Sequence, residues 1–177
     1  MANREAIRQL QARLASRLKA ARDEGLSVSW LAVKSGGANY LFPLAQSGEI
    51  FPITSLQPVP YALNWFRGVV NLRGGLYGVV DLARFVSGVS AAEASTAAPT
   101  PTEATVVTLN SALNVNSGLL VESLAGLRSP DIFQSAQAPS ADAPIYFGNR
   151  FTDAGGEIWQ EINLQTLSQF PRFLNIT

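Results

Sequence analysis

Glu157 and Glu161 stand four residues apart, a carboxylate spacing that could suggest general acid–base chemistry. That chemistry needs both acids in a cleft whose environment drives their pKa values apart. The window Glu157-Ile158-Trp159-Gln160-Glu161-Ile162 favours a strand as much as a helix, so the pair reads as surface charge. A serine nucleophile would need a base, and the chain has no histidine. Only Lys19 and Lys34 remain as conceivable partners, and no motif surrounds either. The absence of cysteine removes disulfide, thiolate and zinc–thiolate chemistry. No phosphate-binding loop, dinucleotide fingerprint or metal-ligand cluster occurs. The expectation is therefore a protein without catalytic, cofactor or metal residues, and not an enzyme.

Recognition chemistry is better represented. In Asn71-Leu72-Arg73-Gly74-Gly75-Leu76 the two glycines can take positive φ at a hairpin tip, with Arg73 projecting beside it. An arginine offers a planar fork of donors suited to a carboxylate on a partner, or it is simply a solvated charge. Asn71 and Asp81 suit structural work, bonding turn backbone or capping a helix that begins after residue 81.

These residues need elements to hold them. Apolar runs flank Gly74-Gly75 and predict a hairpin over residues 68–82, followed by a short helix at 82–87. Upstream, Val28–Val33 and Tyr40–Leu44 read as a hairpin around Gly36-Gly37-Ala38-Asn39, and Ile50–Ile53 as a short extended piece. Pro52, Pro58 and Pro60 make residues 52–60 an irregular connector, and 61–67 reads as one or two helical turns. Residues 89–104 lack large apolar side chains and read as a flexible loop. Beyond it, 105–109 and a broken strand over 118–127 resume the β texture. Residues 129–144 look loop-like, 145–147 and 157–162 look like strands, and 164–170 a terminal helix stopped by Pro171. Short strands without strand–helix alternation predict a mainly β fold rather than a parallel α/β sheet.

The first 25 residues differ from the rest. Ile7, Leu10, Leu14, Leu18 and Ala21 form an apolar seam at helical spacing, with Asn3 and Gly25 at the ends. Residues 1–24 carry six basic and three acidic side chains, while the remainder carries seven and ten. This amphipathic helix either packs on its own domain, docks on a partner or lies on an anionic surface. The whole chain has formal net charge zero, which gives no reason to expect nucleic acid. No apolar stretch approaches the roughly 20 residues of a membrane helix, so a cytoplasmic protein without membrane insertion is expected.

The run Gly68-Val69-Val70-Asn71-Leu72-Arg73-Gly74, followed by Val79-Val80-Asp81-Leu82, resembles the signature of the CheW family of chemotaxis coupling proteins. Glu49-Ile50 ahead of a proline-bearing connector and Gly118-Leu119-Leu120-Val121-Glu122-Ser123-Leu124 are similar to further family segments in the same order. Gly78 replaces the usual proline and Glu122 the commoner aspartate. The added N-terminal helix and the divergent end resemble the PilI-type members, which implies the chemosensory system of type IV pili and twitching motility.

The resemblance implies two small SH3-like five-stranded β-barrels, with an N-terminal helix at 1–25 and a CheW-like domain at 26–177. The β-rich parts would be 28–88 and 105–177, divided by the loop. It further implies a non-catalytic adaptor, recruited to membrane-bound receptor arrays. Its partners would be the cytoplasmic hairpin tip of a chemoreceptor and the regulatory domain of a CheA-type histidine kinase. Glu49, Ile50, Gly68 and Arg73 match partner-contacting positions, and Asn71, Gly74 and Asp81 match structural ones. A generic SH3-like module that binds peptides or proteins is the alternative. The initial Met1 and helix suggest a free-standing adaptor rather than part of a larger kinase or receiver-bearing protein.

Overall fold

Runs such as Leu31-Ala32-Val33 and Val106-Val107 are apolar at consecutive positions, which a strand can bury only when both its faces are covered. The computed structural model, which describes residues 2–23, 29–53, 55–88 and 104–177, supplies both covers. Its strands are β1 (Trp30–Ser35), β2 (Ala38–Pro43), β3 (Ser47–Pro52), β4 (Phe66–Leu72), β5 (Gly75–Asp81) and β6 (Thr105–Leu109). They continue with β7 (Ser117–Val121), β8 (Ser123–Arg128), β9 (Phe133–Gln137), β10 (Phe147–Asp153) and β11 (Ile158–Ile162). The helices are α1 (Ala2–Asp23), α2 (Leu82–Ser87), α3 (Leu164–Ser168) and α4 (Pro171–Leu174).

The strands form two sheets, one of six in the order β8-β1-β2-β11-β10-β9 and one of five in the order β3-β6-β7-β5-β4. Between the sheets lies the largest core, where Leu31, Phe42, Val80, Val107, Leu119 and Ile162 meet Trp65 and Phe85. The outer face of the six-stranded sheet gathers Trp30, Ala32, Leu41, Phe151 and Trp159. The five-stranded sheet wraps Val70, Val79, Val106 and Leu120 on its far side. Alternate residues of one strand thus enter different cores, as Val79 and Val80 do, so the strands read as unbroken apolar runs.

The β-rich parts 28–88 and 105–177 are not one sheet each. β1 and β2 pair with β8 and β11 from the second part, while β6 and β7 sit among β3, β5 and β4 from the first. Strand texture is a local property, whereas the pairing partner is decided by long-range burial. Glu122 marks the crossing: the broken strand of 118–127 is β7 in one sheet and β8 in the other. Phe133–Gln137, inside the segment read as loop, forms β9 against β10 and gives the first sheet a sixth strand.

Several boundaries also move. The connector after β3 contributes a bridge, with Gln57 and Val69 exchanging backbone bonds of 2.9 and 2.8 Å. This bridge links the chain beyond one edge strand to the other edge strand, β4, and joins the five-stranded sheet end to end. Residues 61–65 make turns rather than a helix, and Phe66 and Arg67 already belong to β4. Pro171 does not end the chain's helices: it opens α4, at a first-turn position where a missing N–H is tolerated. Residues 89–103 and Gly25 lie outside the described residues, and Ala104, expected in the loop, is buried.

Helix α1 lies against β3, β8 and the turn Leu44–Gln46. Leu14 is buried and Gln11 Nε2 donates to Thr105 Oγ1 at 2.9 Å, while Ile7 and Leu10 remain exposed. Among the described residues no helix is long and apolar enough to cross a membrane.

Candidate functional site

The hairpin β4–β5 turns on Arg73 and Gly74, because Leu72 and Gly75 are the last cross-strand pair. The expected tip at Gly74-Gly75 is therefore shifted by one residue. Arg73 has φ of 50° and Gly74 of 84°. Positive φ at both central residues is the type I′ turn, whose twist matches that of the flanking strands. Asn71 stabilises it by accepting the Gly74 N–H on Oδ1 at 3.0 Å. Asn71 and Gly74 shape the turn, and it lifts the Arg73 side chain clear of the sheet.

Strand β3 brings the counter-charge. Its register against β6 shifts between Ser47 and Ile50, and such a bulge re-aims the side chains it carries. Thr108 clasps the bulge: its Oγ1 accepts the Glu49 N–H at 2.8 Å and donates to Glu49 O at 3.3 Å. A Cβ on Gly48 would overlap Thr108 Oγ1, so a glycine precedes Glu49. Glu49 Oε2 then meets Arg73 Nη1 at 2.8 Å, and the guanidinium carbon lies 5.7 Å from the centre of the Phe51 ring.

Both charged side chains stay open, Arg73 at 75% and Glu49 at 53% exposure. A pair this wet contributes about 0–1 kcal/mol to folding. Its arrangement is more consequential than its energy, because an oriented guanidinium, a carboxylate and an aromatic ring stand together at a surface. Such a group has the chemistry to meet a surface that is both charged and apolar. Among the described residues no group of acidic side chains is placed to hold a metal ion.

The other expected positions separate. Ile50 points away from Glu49, partly buried against the core between the sheets. Gly68 is buried at φ of 131°, where a Cβ would overlap the Gln57 carbonyl, so its role here is in the sheet closure. Asp81 caps α2, accepting the Arg84 N–H at 3.1 Å, and lies 3.8 Å from Arg67 and 3.5 Å from Arg84. Glu157 faces Lys34 at 3.9 Å, while Glu161 accepts the Trp30 indole N–H at 2.8 Å. The two acids thus have separate partners. Two residues of the site escaped the sequence reading. Phe51 shares the face of Glu49 by strand alternation, and Leu76 is 62% exposed just past the turn. The alternation of Leu76 with the inward Tyr77 was the available signal.

A family model described as the CheW-like domain matches residues 29–170, and the chain belongs to this family. The match spans both sheets and the whole candidate site. The chain is 26% identical over 166 residues to Protein PilI of Pseudomonas aeruginosa, covering 93% of this chain and 88% of that protein. Its fold is similar to the crystal structure of the scaffolding protein TtCheW from Thermoanaerobacter tengcongensis. That match has a TM-score of 0.60 at 13% identity, over 77% of this chain and 89% of the other.

Proposed function

We propose that the protein is a non-catalytic adaptor that couples the cytoplasmic hairpin tip of chemoreceptors to the regulatory domain of a CheA-type histidine kinase. The observation that carries this reading is the Arg73–Glu49 pair, built by a type I′ turn and a clasped bulge yet left largely exposed. A fold that orients two charges so closely and gives them so little stability in return is arranged for contact. Protein PilI names the relative that supports a type IV pilus output, and the word scaffolding describes the TtCheW neighbour. In this reading the protein works in the cytoplasm, recruited to receptor arrays. It uses Glu49 and Arg73 as contacts, with Phe51 and Leu76 supplying apolar area.

The test is titration of the purified protein with a receptor cytoplasmic fragment and with the kinase regulatory domain. Arg73→Glu reverses the charge beside Glu49 and is expected to weaken one partner by about tenfold or more, with the thermal midpoint nearly unchanged. Equal affinities of wild type and variant for both partners would sink the assignment. Binding to unrelated proline-rich peptides, with none to either partner, would favour the generic module instead.

A further inference from the structure

The inner face of the six-stranded sheet runs on past the core that covers it. Gln160 of β11 has Tyr40 of β2 as its partner on one side and Arg150 of β10 on the other. Cross-strand partners share a face of a sheet, and Tyr40 packs into the core between the sheets, so all three side chains lie on that inner face. Burial falls along the row: Tyr40 is 6% exposed, Gln160 is partly buried and Arg150 is exposed. The parallel pairing of β2 and β11 spans only Tyr40 with Gln160 and Leu41 with Glu161. Before it the strands part, and Asn39 reaches across, donating from Nδ2 to Ile158 O at 3.2 Å. A pocket of about 520 Å³ opens there, with Phe147 and the half-exposed Ile158 as its apolar walls.

The polar groups of this pocket differ in what they have left to give. Gln160 Nε2 donates to Gly148 O and to Glu161 O, both at 2.9 Å, so its donors are spent on the sheet. The Tyr40 hydroxyl makes no hydrogen bond among the described residues. Every fully buried side-chain nitrogen or oxygen among them has a partner, so the Tyr40 oxygen is open to the pocket that its residue lines. A phenol held this deep without a partner costs stability unless something in the pocket accepts its O–H. Burial foremost, and then the neighbouring Tyr146, raises its pKa, so it remains a donor. Arg150 makes no ion pair and no ring contact among the described residues, and no acid lines the pocket. The pocket therefore presents a free guanidinium and a free hydroxyl beside apolar walls.

We propose that this pocket binds a small organic carboxylate, with Arg150 and the Tyr40 hydroxyl on the carboxylate and with Phe147 and Ile158 against an aromatic or aliphatic body. Charge selects an anion. A guanidinium fork matches the two oxygens of a carboxylate, whereas a phosphate dianion would meet a single cation. Size selects a free molecule. The volume lies within the roughly 300–1,000 Å³ of small-molecule sites, and one acidic side chain of a docked protein would leave most of it empty. The site lies on the sheet that does not carry Arg73, and it needs no partner protein, so it stands apart from the coupling reading.

The purified full chain is titrated with phenylacetate, benzoate and hexanoate, with the primary amide of each acid, and with inorganic phosphate, while backbone amide signals are followed by NMR. At least one carboxylate is expected to saturate a single site and to shift the signals of Tyr40, Arg150 and Gln160. Its uncharged amide should bind about tenfold more weakly or worse. Arg150→Gln, a change at an exposed position, should weaken the carboxylate by about tenfold or more, and Tyr40→Phe by about two- to tenfold. Tyr40→Phe should also keep the thermal midpoint of wild type, because the hydroxyl it removes has no partner in the described chain. The proposal is overturned if none of the three acids saturates, if the amides bind as well as the acids, if phosphate binds more tightly than they do, or if Arg150→Gln binds like wild type. A lower midpoint for Tyr40→Phe would give the hydroxyl a structural role and remove it from the site. No partner protein is present, so either result holds whatever the coupling titrations show.

Discussion

The two sheets close in different ways. The five-stranded sheet closes through backbone, with the chain beyond β3 crossing to bond Val69 of β4 at Gln57. The six-stranded sheet has no bond between its edge strands β8 and β9, and side chains fill the gap. Trp30 meets Phe133 and Phe151 with ring centroids 5.8 and 4.9 Å apart, and Phe133 meets Phe151 at 5.1 Å. Asp153 and Glu161 then accept the indole N–H groups of Trp159 and Trp30. Closure by side chains occupies the rings and acids of that sheet with the fold. Closure by backbone leaves the side chains of the rim available, and Arg73, Glu49 and Leu76 are found there.

Backbone closure has little tolerance, which gives the largest expected effect. Gly68 sits in a register shift of β4, and a Cβ there would overlap the Gln57 carbonyl at the bridge itself. Gly68→Ala combines that overlap with a φ of 131° that L residues avoid. It should lower stability by roughly 3–5 kcal/mol, read as a lower urea midpoint at an unchanged slope. A midpoint near that of wild type would show that the bridge does not hold the sheet.

Asp81→Ala comes next, because Asp81 is the buried acid of the five-stranded sheet and serves one cap and two guanidinium groups. Loss of the cap and of the shared carboxylate should lower stability by about 1–3 kcal/mol in thermal or urea melts. Asp81→Asn keeps an acceptor for Arg84 N and should recover part of that loss. Equal losses in the two variants would assign the effect to charge alone.

The same contrast explains what could be read beforehand. The β4–β5 hairpin, α2 and the cap at Asp81 are local, and residues 68–88 announce them through glycines, alternation and an acid before a helix. The turn is misplaced by one residue because glycine is the default carrier of positive φ, whereas here Arg73 carries it and Asn71 compensates. Strand β9 has the sequence Phe133-Gln134-Ser135-Ala136-Gln137, without a β-branched residue, and is a strand only because β10 lies beside it. The interleaving of the two halves into both sheets has no local signature at all. The Glu49–Arg73 pairing joins residues 24 positions apart through a bulge, which motif spacing alone does not locate.

The smallest effect should come from the side-chain closure, and it should depend on pH. Asp153 Oδ2 accepts the Trp159 indole N–H at 3.0 Å, and Oδ1 accepts the backbone N–H groups of Gly155 and Glu157 at 2.9 and 3.0 Å. The Trp159 bond foremost, helped by these backbone bonds and the charge of Arg128, holds the Asp153 carboxyl below its usual range. A carboxyl whose folded pKa is depressed contributes fully above its unfolded value of about 3.9, and the contribution is lost as pH falls through the folded pKa. Asp131, lowered mainly by its bond from Ser129, titrates in the same direction, so acid sensitivity should be reduced in Asp153→Asn rather than abolished. Urea midpoints of the two proteins, measured from about pH 7 downward, should draw together as pH falls through the folded pKa of Asp153. Tryptophan emission of the variant should already resemble acid wild type near neutrality, because Trp159 has lost its charged acceptor. Parallel midpoint curves would mean that the indole bond contributes nothing to closure. The rings of Trp30, Phe133 and Phe151 would then hold the six-stranded sheet by burial alone.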